Sequence, residues 1–248
     1  MNTHHWTASD GIELAWRETG EGRPVILLHG LFSDAQMNWI KFGHAERIAA
    51  AGFRVIMPDL RAHGLSGKPQ EAAAYTRGVL ARDVRDLIAY LGLVDYDLGG
   101  FSLGARTTVQ VVGEGARPRR AILAGMGLEG LSNWNRRQAF FHEAIARFDL
   151  AKRGEPWWMA IQFMKTMKVD RVAAGHLLRT FEDAHPEWLQ AFTMETLVLC
   201  GDQDEDNGSA PALAEALPNA RLELVPGTHM SSVAEPAFGE AIARFLSA

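Results

Sequence analysis

Thiols are almost absent: Cys200 is the only cysteine in 248 residues. That excludes intrachain disulfides and any metal framework built on paired cysteines. Cys200 lies in the apolar run Leu197-Val198-Leu199-Cys200, the pattern of a buried strand. Long apolar runs are missing too, and no stretch approaches the roughly 18 residues that a membrane helix needs. The opening segment Met1-Asn2-Thr3-His4-His5-Trp6 has neither an apolar centre nor a basic flank, so no signal peptide is expected and a cytoplasmic location is. Basic runs are scarce. The densest is Arg117-Pro118-Arg119-Arg120, read as a solvated loop before an apolar strand. With a net charge of −5, nucleic-acid and membrane partners are not expected. His4-His5 has no further ligand beside it, so the pair reads as a solvated terminus and no metal site is expected. Internal repeats and low-complexity segments are absent.

What is present is ordinary for a globular chain, 47% hydrophobic and 22% charged, long enough to fill one core. Short β-branched runs alternate with helical patterns. Strands are expected at His5–Ala8, Ile12–Glu18, Val25–Leu28, Phe53–Met57, Asp95–Gly99, Arg120–Ala124, Thr196–Cys200 and Arg221–Val225, with Asp10-Gly11 turning the first pair. Helices are expected at Ala45–Ala51, Thr76–Leu91, Leu103–Val112, Ala210–Leu217 and Phe238–Leu246. Such alternation implies an α/β fold, a mostly parallel sheet covered by helices on both faces. After the sixth strand the alternation stops. Arg136–Phe148, Trp157–Met167, Val169–Phe181 and Pro186–Phe192 read as consecutive helices rich in Trp, Phe and Met. The expected division is therefore a core of residues 1–125 and 193–248 with a helical lid at 126–192.

Gly99-Gly100-Phe101-Ser102-Leu103-Gly104 falls between a strand and a helix. A serine hydroxyl is a poor nucleophile unless it stands exposed beside a base and an oxyanion site. A sharp strand-to-helix turn exposes it, and glycines two before and two after relieve the crowding. His29-Gly30-Leu31-Phe32 follows the Val25–Leu28 strand, where the Leu31 N–H is expected to join that of Leu103 as an oxyanion donor. His29 itself is expected to fix that loop by hydrogen bonds. Of nine histidines, His229 is best placed, on a loop directly after the last strand, and it is the expected base. Gly201-Asp202-Gln203-Asp204-Glu205-Asp206 offers four carboxylates. Asp204 is the first choice for the acid and Asp202 the second.

These motifs, together with Asp59-Leu60-Arg61-Ala62-His63-Gly64-Leu65-Ser66, resemble the α/β-hydrolase family over essentially the whole chain. The Asp59 segment is similar to that family's Asp-X-Arg-Gly-X-Gly-X-Ser loop, with Ala62 where glycine is usual. The resemblance implies the chain order serine, acid, histidine, which Ser102, Asp204 and His229 satisfy. It disfavours haloalkane dehalogenases and epoxide hydrolases, whose nucleophile is aspartate. Ring-cleavage carbon–carbon hydrolases usually read Gly-Asn-Ser, and here Phe101 stands before the serine. What remains is a serine hydrolase acting on a carboxylic ester of a small, largely apolar substrate, with lactone or enol-lactone hydrolysis and cofactor-free perhydrolase-like chemistry as alternatives. A ligand receptor without turnover is the reading from another class. The expected partner is a small-molecule ester or lactone, and no cofactor is implied. Phe32, Trp134, Trp157, Trp158 and Met230 are the candidate pocket residues.

Overall fold

The computed structural model describes residues 2–132 and 134–248. Eight strands form one sheet: β1 (Asn2–Thr7), β2 (Glu13–Thr19), β3 (Arg23–Leu28), β4 (Phe53–Asp59), β5 (Asp97–Phe101), β6 (Arg120–Ala124), β7 (Glu195–Gly201) and β8 (Ala220–Val225). Their spatial order is β1-β2-β4-β3-β5-β6-β7-β8. β1 pairs antiparallel with β2, and β2 with β4; every later pairing is parallel. Gly11, at φ 85°, turns the first hairpin, and the Asp10 carboxylate accepts the Ile12 N–H.

Alternation along the central strands sends successive side chains to opposite faces. Ile26, Leu28, Ile56, Leu98, Leu123 and Val198 join one core cluster, which is covered by α2 (Val79–Tyr90), α3 (Leu103–Gly113) and α8 (Ala210–Ala216). Val25, Leu27, Val55, Met57, Ile122 and Leu199 join the other, under α1 (His44–Ala50) and α10 (Pro236–Ser247). Burial on both faces explains why these strands read as unbroken apolar runs.

Between β6 and β7 lie a short 3-10 helix at Leu128–Leu131 and four α-helices, α4 (Trp134–Ala146), α5 (Trp158–Thr166), α6 (Arg171–Leu178) and α7 (Pro186–Gln190), with no strand among the described residues. Trp134, Ala144, Ile161, Met164, Ala174 and Leu178 form a third, smaller core that also holds Phe32. The α7 segment packs differently. Trp188 lies over Gly113 of α3, and Leu189 and Phe192 enter the main core. No helix among the described residues is long and apolar enough to cross a membrane.

Three local expectations are corrected. His4-His5 is only half a solvated terminus: β1 begins at Asn2, His5 is exposed, and His4 stacks on Trp16 at 4.8 Å with its Nε2 3.2 Å from Glu18. Arg120 is not part of a solvated loop. It is 8% exposed on β6, held by Glu195 at 2.9 Å and by the Leu246 carbonyl at 2.5 Å. The fifth strand starts and ends two residues later than expected, because Gly99 and Gly100 pair with β6 and the strand runs to the residue before Ser102.

Arg61 anchors the loop after β4. Fully buried, it donates to Asp83 at 2.9 and 2.8 Å, to Asp10 at 2.8 and 2.9 Å, and to the Ala74 carbonyl at 2.8 Å. These five bonds use every donor of the guanidinium. Arg61→Leu would leave the Asp83 carboxylate buried without its partner. Urea denaturation of that variant should show a loss of about 3–5 kcal/mol, and a loss below 1 kcal/mol would show that the cluster carries no such constraint.

Candidate active site

The strand order reverses between β3 and β5, which lie side by side with Leu28 opposite Gly100. Open α/β sheets bind ligands at such a point, beyond the carboxyl ends of the strands. The His29 loop leaves β3 there and Ser102 leaves β5, so adjacency in the sheet brings the two motifs together.

Ser102 sits at φ 53°, ψ −108°, a conformation L-residues rarely adopt. The turn is held by close approach on both sides. A Cβ on Gly100 would collide with the Gly104 backbone, and one on Gly104 with the Leu28 carbonyl. The Ser102 N–H donates to the Ala124 carbonyl at 2.8 Å, which ties the turn to β6.

His229 Nε2 stands 3.1 Å from Ser102 Oγ, and its Nδ1 stands 2.9 Å from Asp204 Oδ2. With the carboxylate taking the Nδ1–H, Nε2 is left to accept the serine O–H. Ser102 and His229 are 9% and 8% exposed, and the Asp204 side chain is 2% exposed. The imidazole stacks on Phe101 at 4.8 Å. His229 does not lie on a plain loop, as the sequence suggested, but opens a one-turn helix, α9 (His229–Ser232), capped reciprocally by Thr228 and Ser231. Asp202, the second choice for the acid, is exposed and accepts the Gly227 N–H at 2.8 Å. With Gln203 N–H donating to the Gly227 carbonyl at 3.0 Å, it staples the loop after β7 to the loop after β8.

The Leu103 N–H, at the first position of α3, lies beyond the reach of the helix's own carbonyls. In the facing loop the Phe32 N–H donates to His63 Nε2 at 3.0 Å and the Ser33 N–H to the Gly30 carbonyl at 3.2 Å. The Leu31 N–H, one residue before Phe32, has no acceptor among the described residues. Two buried histidines hold this loop. His29 donates from Nδ1 to the Gly30 carbonyl at 2.8 Å and accepts the Leu60 N–H at 2.9 Å. His63 donates to the Arg61 carbonyl at 2.9 Å. Asp59 adds the Ala35 and Leu65 N–H groups, each at 2.8 Å. Ala62, where the resembling loop has glycine, adopts φ 71°, so the left-handed turn persists without it.

A cavity of 610 Å³ opens over Ser102 and His229. Phe32, Trp134 and Met230 line it, as expected from the sequence, but Trp157 and Trp158 do not. That expectation fails because α5 turns a different face inward. Met159, Phe163 and Thr166, at helical spacing, meet the cavity, while Arg147 and Arg153 lie over the Trp157 and Trp158 rings at 4.5 and 5.9 Å. Several polar lining residues escaped the sequence reading, Arg106, Arg137 and Asn207 among them. A signal for one existed: Arg137 lies three residues after Trp134 and four before Phe141, on the same helical face. Cys200 is no rival nucleophile, since burial pushes its thiol up to about 12.

The comparisons agree with this architecture. A model of the alpha/beta hydrolase fold family matches residues 23–157, more than half of the chain. The chain belongs to the alpha/beta hydrolase family. A non-heme chloroperoxidase from Kitasatospora aureofaciens is 27% identical over 90% of both chains. A thermophilic esterase from Thermogutta terrifontis superposes with a TM-score of 0.75 at 26% identity, covering 99% of this chain and 98% of the other. An esterase from Exiguobacterium antarcticum shares the fold with a TM-score of 0.80 at 20% identity, covering 98% and 99%. This alpha/beta hydrolase therefore stands among an enzyme family with esterase neighbours.

The paired histidines make acid stability testable. Burial pushes His29 down to about 4 and His63 to about 3, with His29 lowering His63 further by its own charge. An unfolded histidine titrates near ~6.5. Between about pH 6.5 and 4 the unfolded chain thus binds protons that the folded chain does not, and stability falls as pH falls. Each ring should contribute a slope of about 1.4 kcal/mol per pH unit. Urea midpoints measured from pH 7 to 4.5 should show this slope, and His63→Gln should remove one proton from it. A slope left unchanged by His63→Gln would show that this ring is not held neutral by the fold.

Proposed function

We propose that this alpha/beta hydrolase is a serine hydrolase that cleaves a carboxylic ester of a small, largely apolar substrate through an acyl-enzyme. The observation that carries the reading is the hydrogen-bonded chain Ser102–His229–Asp204 at the floor of the cavity, opposite the Leu31 and Leu103 N–H groups.

Ser102 Oγ attacks the ester carbonyl while its proton passes to His229 Nε2. The carbonyl oxygen becomes an oxyanion, held by the Leu31 and Leu103 N–H groups, and losing one such donor costs about 3–4 kcal/mol. Asp204 keeps the imidazole in the tautomer that can accept the proton and stabilises the cation that forms. Collapse of the intermediate expels the alkoxide, which takes the proton from His229. Water then repeats the sequence on the acyl-enzyme, releasing the acid and restoring Ser102. The segment α4–α6 serves as a lid whose cavity face selects the substrate. A lactone would follow the same steps with the leaving alkoxide tethered to the acyl group. The likeness to a non-heme chloroperoxidase favours, as a second reading, hydrogen peroxide in place of water at the second stage, which would release a peracid.

A fluorophosphonate should modify one residue, Ser102, and Ser102→Ala should abolish labelling while lowering ester turnover by about a millionfold. An adduct on another serine would overturn the assignment, and one-time acylation without turnover would make the protein a receptor. Asp204→Asn should lower turnover by about ten-thousandfold, leaving the histidine in the wrong tautomer. Asp202→Asn should cost far less, since its carboxylate only staples a loop. The reverse ranking would move the acid to Asp202.

A further inference from the structure

The cavity over Ser102 is apolar on most of its wall, with Phe140, Phe141 and Phe163 contributed by the helical insertion. Two guanidinium groups also line it, and they are held in different ways. Arg106 is committed: Nη1 donates to the Gly130 carbonyl at 2.6 Å, Nη2 donates to the Glu182 carbonyl, and the group lies 5.3 Å over the Trp134 ring. Arg137 is not. Its Nη1 alone is engaged, by Asn207 Oδ1 and, at 3.4 Å, by the Asp206 carbonyl. Its Nε and Nη2 have no acceptor, and no carboxylate lies within ion-pairing distance, among the described residues.

Arg137 is half-buried, so a guanidinium set in this apolar wall without a counter-ion leaves part of its charge to water and stands open to an anionic ligand. Burial pushes Arg137 below its ordinary value, with the Asp206 and Asp204 carboxylates opposing the shift; an arginine remains a cation at neutral pH all the same. The group is also fixed in place. Asn207 is 3% exposed, and its Nδ2 donates to the Gly125 carbonyl at 2.7 Å, which turns Oδ1 toward Arg137. The Asn207 carbonyl accepts the Gly130 N–H at 2.8 Å, so this support is tied into the loop after β6. Asp206, the one carboxylate on the wall among the described residues, is exposed and does not pair with Arg137.

We infer that Arg137 is an anion receptor and that the substrate is an ester or lactone whose apolar body ends in a free carboxylate. The unused Nε–H and Nη2–H edge presents two parallel donors, which match the two oxygens of a carboxylate. Phe140, Phe141 and Phe163 take the methylenes or ring between that carboxylate and the scissile carbonyl. Asn207 is a positioning residue that keeps the guanidinium from folding away when the site is empty. This inference rests on the serine-hydrolase reading above, and its test separates the two.

Wild-type enzyme is assayed on mono-4-nitrophenyl adipate and on the same molecule with its free carboxylate methylated. The anionic ester should be preferred in kcat/KM by about 10- to 100-fold, the value of a charge-assisted bond made to one substrate only. Arg137→Gln should bring the ratio close to one, acting mainly through KM, and Arg137→Lys should restore part of it. Asn207→Ala should raise KM for the anionic ester more than for the methyl ester. A readout that needs no turnover uses labelling: adipate should slow fluorophosphonate modification of Ser102 in the wild type and fail to do so in Arg137→Gln. Hydrolysis of both esters at equal rates by the wild type would overturn the inference while leaving the hydrolase reading intact. So would protection by adipate that survives Arg137→Gln. Absence of both labelling and hydrolysis would instead defeat the hydrolase reading. Should Arg137→Gln not fold, Arg137→Met takes its place in the same comparison, with loss of the preference expected and an unchanged preference overturning the inference.

Discussion

The site depends on one steric constraint, the closeness with which α3 approaches the end of β3. Gly104 brings the first turn of that helix against the Leu28 carbonyl, and Gly100 brings β5 against Gly104. No side chain fits at either contact. Ser102 is the residue forced to absorb the geometry, which is why it adopts φ 53°. The same closeness sets the loop after β3 beside the first free N–H of α3, so one packing contact fixes both the exposure of the hydroxyl and the place where negative charge would be met.

Around this contact buried polar side chains hold backbone. His29, His63 and Asp59 each accept main-chain N–H groups from a neighbouring loop, and Arg61 fills its five donors with two carboxylates and a carbonyl. These are buried bonds, and each replaces water that the loop would otherwise need. The loops after β3 and β4 are thereby tied to each other and to the strands they leave. Rigidity of this kind suits a site whose donors must already be aimed when charge develops.

Much of this was legible because it is written locally. The central strands are unbroken apolar runs for a simple reason, burial on both faces, and Gly100, Ser102 and Gly104 occur at a spacing set by one turn. Asp204 could be preferred over Asp202 because the Gly201–Asp204 interval matches the distance round the strand end, and the 2.9 Å contact with His229 agrees with that choice. The unreadable part is tertiary. Whether Trp157 or Met159 faces the cavity depends on how α5 rolls against α4, and a short helix rich in apolar residues on several sides does not declare its inner face. The short π-helical segment at Gln36–Ile40 also escaped; its Asn38 accepts the Gly30 N–H at 2.9 Å. Arg120 and His4 were misread because charge and position near a terminus suggest solvent, while a strand partner can recruit either into the sheet.

The chain's last strand leads to a different kind of consequence. β8 pairs only with β7, and its Leu222 and Leu224 are 36% and 52% exposed, so it is the thinly covered margin of the sheet. His229 hangs from that margin, whereas Ser102 hangs from β5 at the centre. Local opening free energies in proteins run from near zero at frayed edges up to the global value in the core. The two halves of the hydrogen-bonded pair therefore belong to regions of unequal durability, and an opening confined to the margin would carry His229 away from Ser102 while the centre stayed intact.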